Sequence, residues 1–555
     1  SVLWNIVASA DGVQIANGSL YPAHHYANVL FNVMRGGLFD EHDLVPLDDF
    51  LANLRHFNRP ASERHGQALG ALPARIPRAD LLAAVRSRGD PQLERLAMEY
   101  LPIRFGRRHG DPSRPWNQFS ILLRDEAGRR VLSYEGNWRD IFQNWEALAW
   151  SYPGFIAGFI ARFVNASTVD GHNPYRITKQ GIDWEVEDPG DPWSHIGYWG
   201  DHQIIYLLKF LELSRQVDPR CLGTLLHRRV FSYANVPYRI RPFAALLANP
   251  KETVDYDHDL AALIEERVAR LGADGRLVLD AHGEVYLASL LEKLLVSLLA
   301  KLGNLVVDGG IWLSTQRPEW NDANNALVGQ GLSMVTLYHL RRYVAFLGEL
   351  VAAGEPMVAL SSEVGTWLAE TGAALRRVRG LLGRGPLSGA ARYEALAGTG
   401  EAFGRYREAV YSREGFSGVV QCAATDITAM LADAAAAIDH SIATNRRVDG
   451  LYHSYNLMRL TGAAVEVDAL YPMLEGQVAV LASGALSPAE AGDVVAALYA
   501  SDMYRADQHS FLLYPDRRLP GFLEKNRVPE ERARSIPLVA RLLAVGDRSI
   551  LEQDA

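Results

Sequence analysis

The sequence is poor in cysteine and has no long apolar run. Its two cysteines, Cys221 and Cys422, are too few and too far apart for a disulfide framework or a cysteine zinc motif. No stretch of 18 or more apolar residues occurs, which excludes a transmembrane helix. The longest apolar run, at 286–303, is interrupted by charged residues and predicts a buried helix. We therefore expect no membrane partner and, because a signal-peptide pattern is lacking, a cytoplasmic location.

Acidic residues outnumber basic residues, 65 to 56. The net charge is −9, and no basic stripe stands out along the chain, so nucleic acid is excluded as the main partner. No histidine pair has the spacing of metal ligands, and this applies to His172, His195 and His202 as well. We expect no metal and no cofactor. No repeat of fixed period is present, which argues against a solenoid.

Helical periodicity dominates the chain after about residue 140. Apolar residues recur there at spacings of three and four, which predicts eleven helices, at 140–150, 154–165, 202–214, 258–271, 283–301, 330–353, 363–382, 390–411, 425–444, 471–484 and 488–502. The last one has clear start signals in Ser487, Pro488 and Glu490. The predicted fold class is mainly α. An (α/α)6 barrel, a toroid of paired helices, accommodates this many helices, although periodicity alone does not distinguish it from other large helical folds.

The first 133 residues have a different character. They mix strand-like runs with a helical pattern, and residues 119–135 read as a β-hairpin. A chain of 555 residues exceeds one ordinary core. We therefore predict an N-terminal mixed α/β or β region with a linker at 1–133 and a helical catalytic domain at 134–555. The glycine-rich stretch 380–392 is interpreted as a flexible connection, or alternatively as a boundary.

A long segment without helical period, residues 164–202, interrupts the helices. Loops of this length are usually functional or disordered, and richness in aromatic residues argues against disorder. Residues 138–199 hold six of the eleven tryptophans. Indole rings stack on the apolar faces of sugars, and polar side chains bind the hydroxyl rim. The alternative is that the tryptophans only pack the loop and the carboxylates face water. The candidate binding residues are Trp138, Asp170, His172, Trp184, Trp199, Asp201 and His202.

A second polar cluster lies in "RPEWNDANNALVG", residues 317–329. Cleavage of a glycosidic bond usually requires a carboxylic acid that protonates the leaving oxygen. Asp322 precedes an apolar helical pattern and is the candidate acid, with Glu319, Trp320 and Asn321 beside it. Asp322 could instead be a helix N-cap. An N-cap, however, does not explain the tryptophan, the glutamate and the three asparagines around it.

Four segments in the same order resemble motifs of glycoside hydrolase family 94, the cellobiose and chitobiose phosphorylases. "WNDANNALVG" resembles the "DWNDGMNRVG" motif, and "GNWRDIFQNWEAL", "DGHNPY" and "SHIGYWGDHQIIYL" are similar to three others. The resemblance covers about residues 134–350. It implies a β-sandwich followed by an (α/α)6 barrel, and reversible phosphorolysis of β-glucosides with inversion.

The resemblance also assigns roles to residues. It implies that Asp322 is the general acid, that Arg139 and Asp140 hold the sugar, and that Asp201 lies where the family closes the sugar pocket. Three positions depart from the family pattern, because the family has aspartate where Asn144, His202 and Glu319 stand.

Phosphorolysis would require inorganic phosphate as a co-substrate. Arginine, histidine and hydroxyl groups can hold phosphate through charge-assisted hydrogen bonds, and the candidates are Arg505, His509 and Ser510. Arg446 and Arg447 are further basic residues in this half of the chain. Arg505, His509 and Ser510 could equally pair with the nearby Asp507 and Asp516.

Three functions remain open at this point. The first is an inverting glycoside phosphorylase acting on β-linked gluco-oligosaccharides. The second is an inverting hydrolase, which needs a carboxylate to activate water, with Glu135, Asp140, Asp201 and Glu363 as candidates. The third is a catalytically silent oligosaccharide-binding module of a larger polypeptide. An oligosaccharide is the expected partner, and the oligomeric state is open, with a homodimer as one option.

Overall fold

The fold is mainly α, as the periodicity predicted. The computed structural model describes residues 37–104, 124–129, 131–186, 190, 196–201, 203–315, 327, 329–383, 385–516 and 519–552, except for the side chains of residues 139 and 140. Within these ranges the chain forms twenty α-helices and several small sheets. No helix in these ranges combines the length and the apolar character that crossing a bilayer requires.

The helices follow the chain in this order: Leu47–Phe57 (α1), Arg59–Leu69 (α2), Arg78–Arg86 (α3), Pro91–Glu99 (α4), Trp138–Ser151 (α5), Ile156–Asn165 (α6), Leu208–Val217 (α7), Cys221–Leu226 (α8), Phe243–Ala248 (α9), His258–Leu271 (α10), Leu290–Leu302 (α11), Met334–Ala352 (α12), Ser362–Leu381 (α13), Gly389–Arg413 (α14), Ala424–Thr444 (α15), Leu474–Ala482 (α16), Pro488–Tyr499 (α17), Phe522–Lys525 (α18), Glu530–Ser535 (α19) and Pro537–Ala544 (α20).

The strands are short, and all pairs are antiparallel. Five of them form the largest sheet, in the order Leu305–Val306, Gly310–Trp312, Gly331–Ser333, Tyr455–Leu460 and Val465–Ala469. Glu135–Asn137, Arg176–Thr178 and Gly181–Asp183 form a second sheet. The two-stranded pairs are Leu38–Phe39 with Ile103–Arg104, Leu44–Pro46 with Arg75–Pro77, Arg229–Phe231 with Ala288–Ser289, Tyr238–Ile240 with Val254–Tyr256, Met357–Ser361 with Val419–Ala423, and Tyr504–Arg505 with Ser510–Phe511.

The core is built around α11, in which every residue is buried. A helix that is apolar on all faces must be covered on all faces, and α11 lies against α12, α13 and α14. Its start is fixed by Ser289, whose hydroxyl accepts a hydrogen bond from the Glu292 backbone N–H at 3.1 Å. The buried helix predicted from the apolar run at 286–303 is therefore confirmed, and it carries its charged residues into the core.

Each of the eleven predicted helices corresponds to an observed helix. The helix predicted at 258–271 has the predicted bounds, and at least one end is shifted in each of the other ten. The helix predicted at 283–301 begins at Leu290, because Val285 bridges Leu279 and Ala288–Ser289 is a strand. The start predicted for α17 is confirmed. Its capping box is complete, since Ser487 Oγ accepts from Glu490 N at 3.3 Å and Glu490 Oε2 accepts from Ser487 N at 2.9 Å.

The chain divides into two compact units, residues 1–497 and 498–555. In the described part of residues 1–133, both helices and short strands occur. Residues 119–123 and 130 of the hairpin predicted at 119–135 lie outside the described residues. The described part contains a turn, in which Asp125 N donates to Arg129 O at 2.9 Å, and the first residue of the strand Glu135–Asn137. The glycine-rich stretch 380–392 connects α13 to α14 inside the first unit, and is not a boundary between the two units. The second unit contains the last strand pair and helices α18, α19 and α20.

Candidate active site

A tight turn at residues 168–173 carries two of the predicted site residues into the core. The backbone N–H of Thr168 donates to His172 O at 2.9 Å, and that of Gly171 donates to Thr168 O at 3.1 Å. Gly171 has a φ of +70°, and a Cβ there would lie 2.8 Å from Val296 O of α11. Only glycine allows this close approach. The turn therefore packs directly against α11, and Asp170 and His172 are buried.

Asp170 is held by two tyrosines. The Tyr411 hydroxyl donates to Oδ1 at 2.6 Å, and the Tyr198 hydroxyl donates to Oδ2 at 3.0 Å. Burial raises the pKa of Asp170, and the two hydrogen bonds oppose that rise. Both carboxylate oxygens thus have protein donors, which fixes the carboxylate in the core.

Residues 196–201 run beside this turn. The backbone N–H of Asn173 donates to Trp199 O at 2.6 Å, and Gln203 Nε2 donates to Asn173 Oδ1 at 2.6 Å. Trp199 and Asp201 are both buried. The structure therefore brings together four residues of the predicted site that are 31 positions apart at most, namely Asp170, His172, Trp199 and Asp201.

The chain that leads to the predicted acid is anchored at the same place. Thr315 Oγ1 donates to Tyr198 O at 2.8 Å, and Tyr198 N donates to Thr315 O at 3.2 Å. On the other side of the segment, Trp312 Nε1 donates to Gly329 O at 2.9 Å. The predicted residues Glu319, Trp320, Asn321 and Asp322 lie outside the described residues, as do His202 and the side chains of Arg139 and Asp140.

Lys301 was not predicted as a site residue. It lies near the end of α11, close to Gly200 and His172. If residue 200 had a Cβ, that atom would lie 2.6 Å from Lys301 Nζ and 3.3 Å from His172 Cδ2. Burial lowers the pKa of Lys301 to about 8, although the charge of Asp201 opposes that effect. The signal that could have revealed it was the position of this lysine in the run at 286–303, which was predicted to form a buried helix.

Arg407 is a second cation that the sequence did not reveal. It is buried on α14, with its guanidinium 4.1 Å from the centroid of the Phe403 ring. Tyr411, one turn further along α14, bonds Asp170. Burial lowers the pKa of His172 well below its usual value, and the charges of Lys301 and Arg407 lower it further. His172 is therefore a neutral imidazole.

Glu475 adds a carboxyl group near Asp201. The Tyr455 hydroxyl donates to Glu475 Oε2 at 3.1 Å. Burial raises the pKa of Glu475; the Tyr455 hydrogen bond opposes the rise, and the negative charge of Asp201 reinforces it. The negative charge of Asp201 thus favours retention of the proton on Glu475.

Two predicted tryptophans contact other groups. Trp138 is buried in an aromatic cluster, with its ring centroid 4.8 Å from that of Phe163 and 5.3 Å from that of Phe142. Trp184 faces the guanidinium of Arg276 at 5.3 Å. Their roles in sugar binding stay predictions.

The candidate bases of a hydrolase differ in their surroundings. Glu135 forms an ion pair with Arg176 at 2.8 Å. Glu363 Oε1 accepts from Ser417 N at 3.0 Å, while its buried Oε2 has no hydrogen-bond partner among the described residues. Of the remaining two candidates, Asp201 lies in the site and Asp140 has no described side chain.

The predicted phosphate residues lie on the strand pair of the second unit. Arg505 forms an ion pair with Asp507 at 2.8 Å. The Tyr504 hydroxyl is 3.5 Å from His509 Nδ1, and Ser510 Oγ donates to Gln508 Oε1 at 3.4 Å. Their phosphate role stays a prediction. In the first unit, Arg446 and Arg447 also pair with aspartates, at 3.7 and 2.8 Å.

Comparison with known proteins identifies two parts of the chain. Residues 39–102 match glycoside hydrolase family 149 insertion domain 1, and residues 519–555 match GH149 phosphorylase insertion domain 2. No curated protein matched the chain. The first match spans α1 to α4, and the second includes α18 to α20. These matches support a carbohydrate enzyme of the glycoside phosphorylase type. Both matched models describe insertion domains of family 149, and neither gives specific support to family 94.

Proposed function

We propose that the protein is an inverting glycoside phosphorylase that acts on β-linked gluco-oligosaccharides. The observation that carries the proposal is the pair of hydrogen bonds between Thr315 and Tyr198. They hold Thr315, which precedes Asp322 by seven positions in the sequence, against Tyr198 in the segment that also contains Trp199 and Asp201. The matches to phosphorylase insertion domains support the same class. An (α/α)6 arrangement of the helices around this site is part of the proposal.

The proposed reaction is a single displacement. Asp322 donates its carboxyl proton to the glycosidic oxygen while the bond from that oxygen to the anomeric carbon breaks. An oxygen of monoprotonated phosphate forms the new bond to the same carbon from the opposite face, which inverts the configuration. The products are a sugar 1-phosphate and an oligosaccharide shortened by one unit. The proton on the sugar phosphate is later lost and restores Asp322.

Substrate binding in this proposal uses the polar groups around the turn. Arg139, Asp140 and Asp201 hold sugar hydroxyls through charge-assisted hydrogen bonds. Trp320 provides an apolar face for a sugar ring, as indole rings do in carbohydrate sites. The remaining positions of the loop, Trp184, Trp199 and His202, extend the binding surface.

The test is the substitution Asp322→Asn in the full chain. The amide cannot donate the acid proton, so turnover should fall by about a hundredfold to ten-thousandfold, the usual contribution of a general acid. The matched control is Asp218→Asn, an exposed aspartate whose side chain accepts a hydrogen bond from Arg220 N at 3.1 Å. Circular dichroism should show both variants folded. Turnover of Asp322→Asn close to that of the wild type would refute the assignment.

An inverting hydrolase is the second candidate. The observation that favours it is the presence of Asp201, one of the predicted bases, among the buried residues of the candidate site, because hydrolysis requires a second carboxylate that activates water. Release of free sugar at the same rate with and without phosphate would identify the hydrolase. Binding of oligosaccharide without turnover would identify the silent module instead.

A further inference from the structure

The region matched by insertion domain 1, residues 39–102, contacts a hairpin of the predicted binding segment at 164–202. The strands Arg176–Thr178 and Gly181–Asp183 form this hairpin, and Lys179 and Gln180 form its turn. Lys179 bonds Asp49 of α1, which is 130 positions away in the sequence. The fold therefore brings the matched region to the turn of a loop that is predicted to bind sugar.

The main contact is an ion pair between Lys179 and Asp49. Lys179 Nζ donates to Asp49 Oδ1 at 2.7 Å and to Oδ2 at 2.5 Å, and the Tyr100 hydroxyl donates to the same Oδ2 at 2.5 Å. The side chain of Lys179 is 10% exposed. Burial lowers the pKa of Lys179, and the charge of Asp49 opposes that effect. Removal of Asp49 would leave the ammonium without that counter-charge in a place that is largely withdrawn from water.

Two further polar contacts reach the same turn. His56 Nε2 of α1 is 3.0 Å from Gln180 O. Arg162 of α6 donates through Nη2 to Thr178 O at 2.5 Å, and its Nη1 lies 3.6 Å from Glu99 Oε2 at the end of α4. The matched region therefore contacts the turn directly through α1 and indirectly, through Arg162, from α4.

The hairpin shares a sheet with the strand that precedes Arg139 and Asp140. Arg176–Thr178 is the central strand of this sheet, and it pairs with Glu135–Asn137 along its full length. Helix α5 begins at the next residue and carries Arg139 and Asp140 in its first turn. The position of the hairpin thus determines where this helix begins.

The other end of the central strand leads to the turn at 168–173. Asn173 precedes Arg176 by three positions, and its backbone N–H donates to Trp199 O at 2.6 Å. Trp199 is two residues before Asp201. One short strand therefore connects the contacts of the matched region with both the start of α5 and the buried turn. Groups that bind a substrate depend on such supporting contacts for their exact positions.

We propose that Asp49 and Lys179 are positioning residues for oligosaccharide binding. Their ion pair lets the region matched by insertion domain 1 hold the hairpin, and with it the sugar-binding groups, in the arrangement that binds substrate. Neither residue contacts the sugar in this proposal. The inference rests on the proposed function, in which Arg139, Asp140 and Asp201 hold sugar hydroxyls.

The test measures binding and turnover of sophorotriose, laminaritriose and cellotriose by the full chain. Asp49→Asn and Lys179→Met each break the ion pair, so one remains should the other fail to fold. Lys179→Arg keeps a cation that can bind the carboxylate. The matched control is Asp48→Asn, which removes the same charge at the exposed neighbouring position of α1. Calorimetric titration without phosphate gives affinities, kinetics with phosphate give KM and kcat, and circular dichroism checks every fold.

Asp49→Asn and Lys179→Met should weaken trisaccharide binding by about tenfold or more, because misplacing a group by about 1 Å can cost up to about a hundredfold. KM should rise by a similar factor and kcat should change much less, as expected when binding is lost equally in the ground and transition states. Asp48→Asn and Lys179→Arg should bind like the wild type. A loss of stability alone would reduce the amount of folded protein and leave KM unchanged.

The outcome separates this inference from the proposed reaction. Weaker trisaccharide binding in Asp49→Asn and Lys179→Met upholds the positioning role even if the wild type cleaves none of the three sugars. Conversely, phosphorolysis with wild-type affinity and KM in both variants overturns the positioning role and leaves the proposed reaction standing. A wild type that neither binds nor cleaves any of the three would overturn both.

Discussion

At the residue scale, Lys301 is the group with the clearest thermodynamic consequence. Burial lowers its pKa from 10.5 to about 8, and attraction to Asp201 does not offset the lost hydration. A buried charge that costs stability is typical of groups kept for binding or catalysis.

Lys301→Met should stabilise the protein at neutral pH. Because the pKa is lower in the folded state, the proton on Lys301 opposes folding below pH 8, and that cost disappears as the pH rises from 8 to 10.5. The variant should therefore exceed the wild type by up to about 3 kcal/mol in free energy of unfolding at pH 7, with a smaller gap at pH 9.5. Urea unfolding at both values measures it.

The control for this prediction is Lys209→Met. Lys209 forms an exposed ion pair with Glu146 at 3.2 Å, so its loss should change stability by about 1 kcal/mol or less at either pH. A Lys301→Met variant that is less stable than the wild type at pH 7 would show that Lys301 supports the fold.

The sequence could predict some site residues and not others. Asp170, His172 and Asp201 stand in a loop whose aromatic and polar composition is itself informative. Lys301 stands in a run that was predicted to be buried, whereas Arg407 stands in a helical pattern with several charged residues, most of which face water. Only tertiary packing distinguishes a buried charge from a solvated one, and α14 carries both kinds in Arg407 and Arg405.

At the element scale, the contact between the 168–173 turn and α11 positions the site. Gly171→Ala should cost about 2–5 kcal/mol, the sum of a left-handed backbone penalty and of overpacking against Val296 and Ala300. The matched control is Gly462→Ala, whose φ is +60° but whose Cβ would meet nothing within 4 Å. It should cost about 1–2 kcal/mol. Urea unfolding compares the two, and equal losses would contradict a tight contact at Gly171.

Helices were predictable where the helical repeat of apolar residues continues over a long segment. The eleven predicted helices have strong periods, and errors at their ends arise where strand pairing competes, as at Ala288–Ser289. The helices between residues 47 and 99 were not predicted, although Asp90 and Pro91 form a clear start signal for α4. Cys221–Leu226 and Phe243–Ala248 are too short to show a period.

At the scale of the whole molecule, a buried ion cluster joins the region matched by insertion domain 1 to the helical body. Arg95 bonds Asp274 at 2.5 Å and Glu99 at 3.0 Å, and Asn58 Nδ2 donates to Asp274 at 2.8 Å. Arg95 and Asp274 are 179 positions apart, so no local pattern reveals the pair. Burial raises the pKa of Asp274 despite the attraction of Arg95.

Arg95→Gln should therefore destabilise the protein strongly. It leaves the buried Asp274 without its cation and Glu99 with Arg162 alone, at 3.6 Å. Breaking a buried ion pair costs about 3–5 kcal/mol in comparable cases. Arg405→Gln, which breaks an exposed pair, should cost about 1 kcal/mol or less. Urea unfolding of both variants measures the difference. Similar costs would indicate that the cluster does not hold this region to the body.

The most direct measurement of the central claim is a product assay on β-linked gluco-oligosaccharides with and without inorganic phosphate. Phosphorus NMR follows the formation of a sugar 1-phosphate and the configuration at its anomeric carbon. The account predicts a sugar 1-phosphate of inverted configuration that forms only when phosphate is present. Free sugar released at the same rate without phosphate would contradict it.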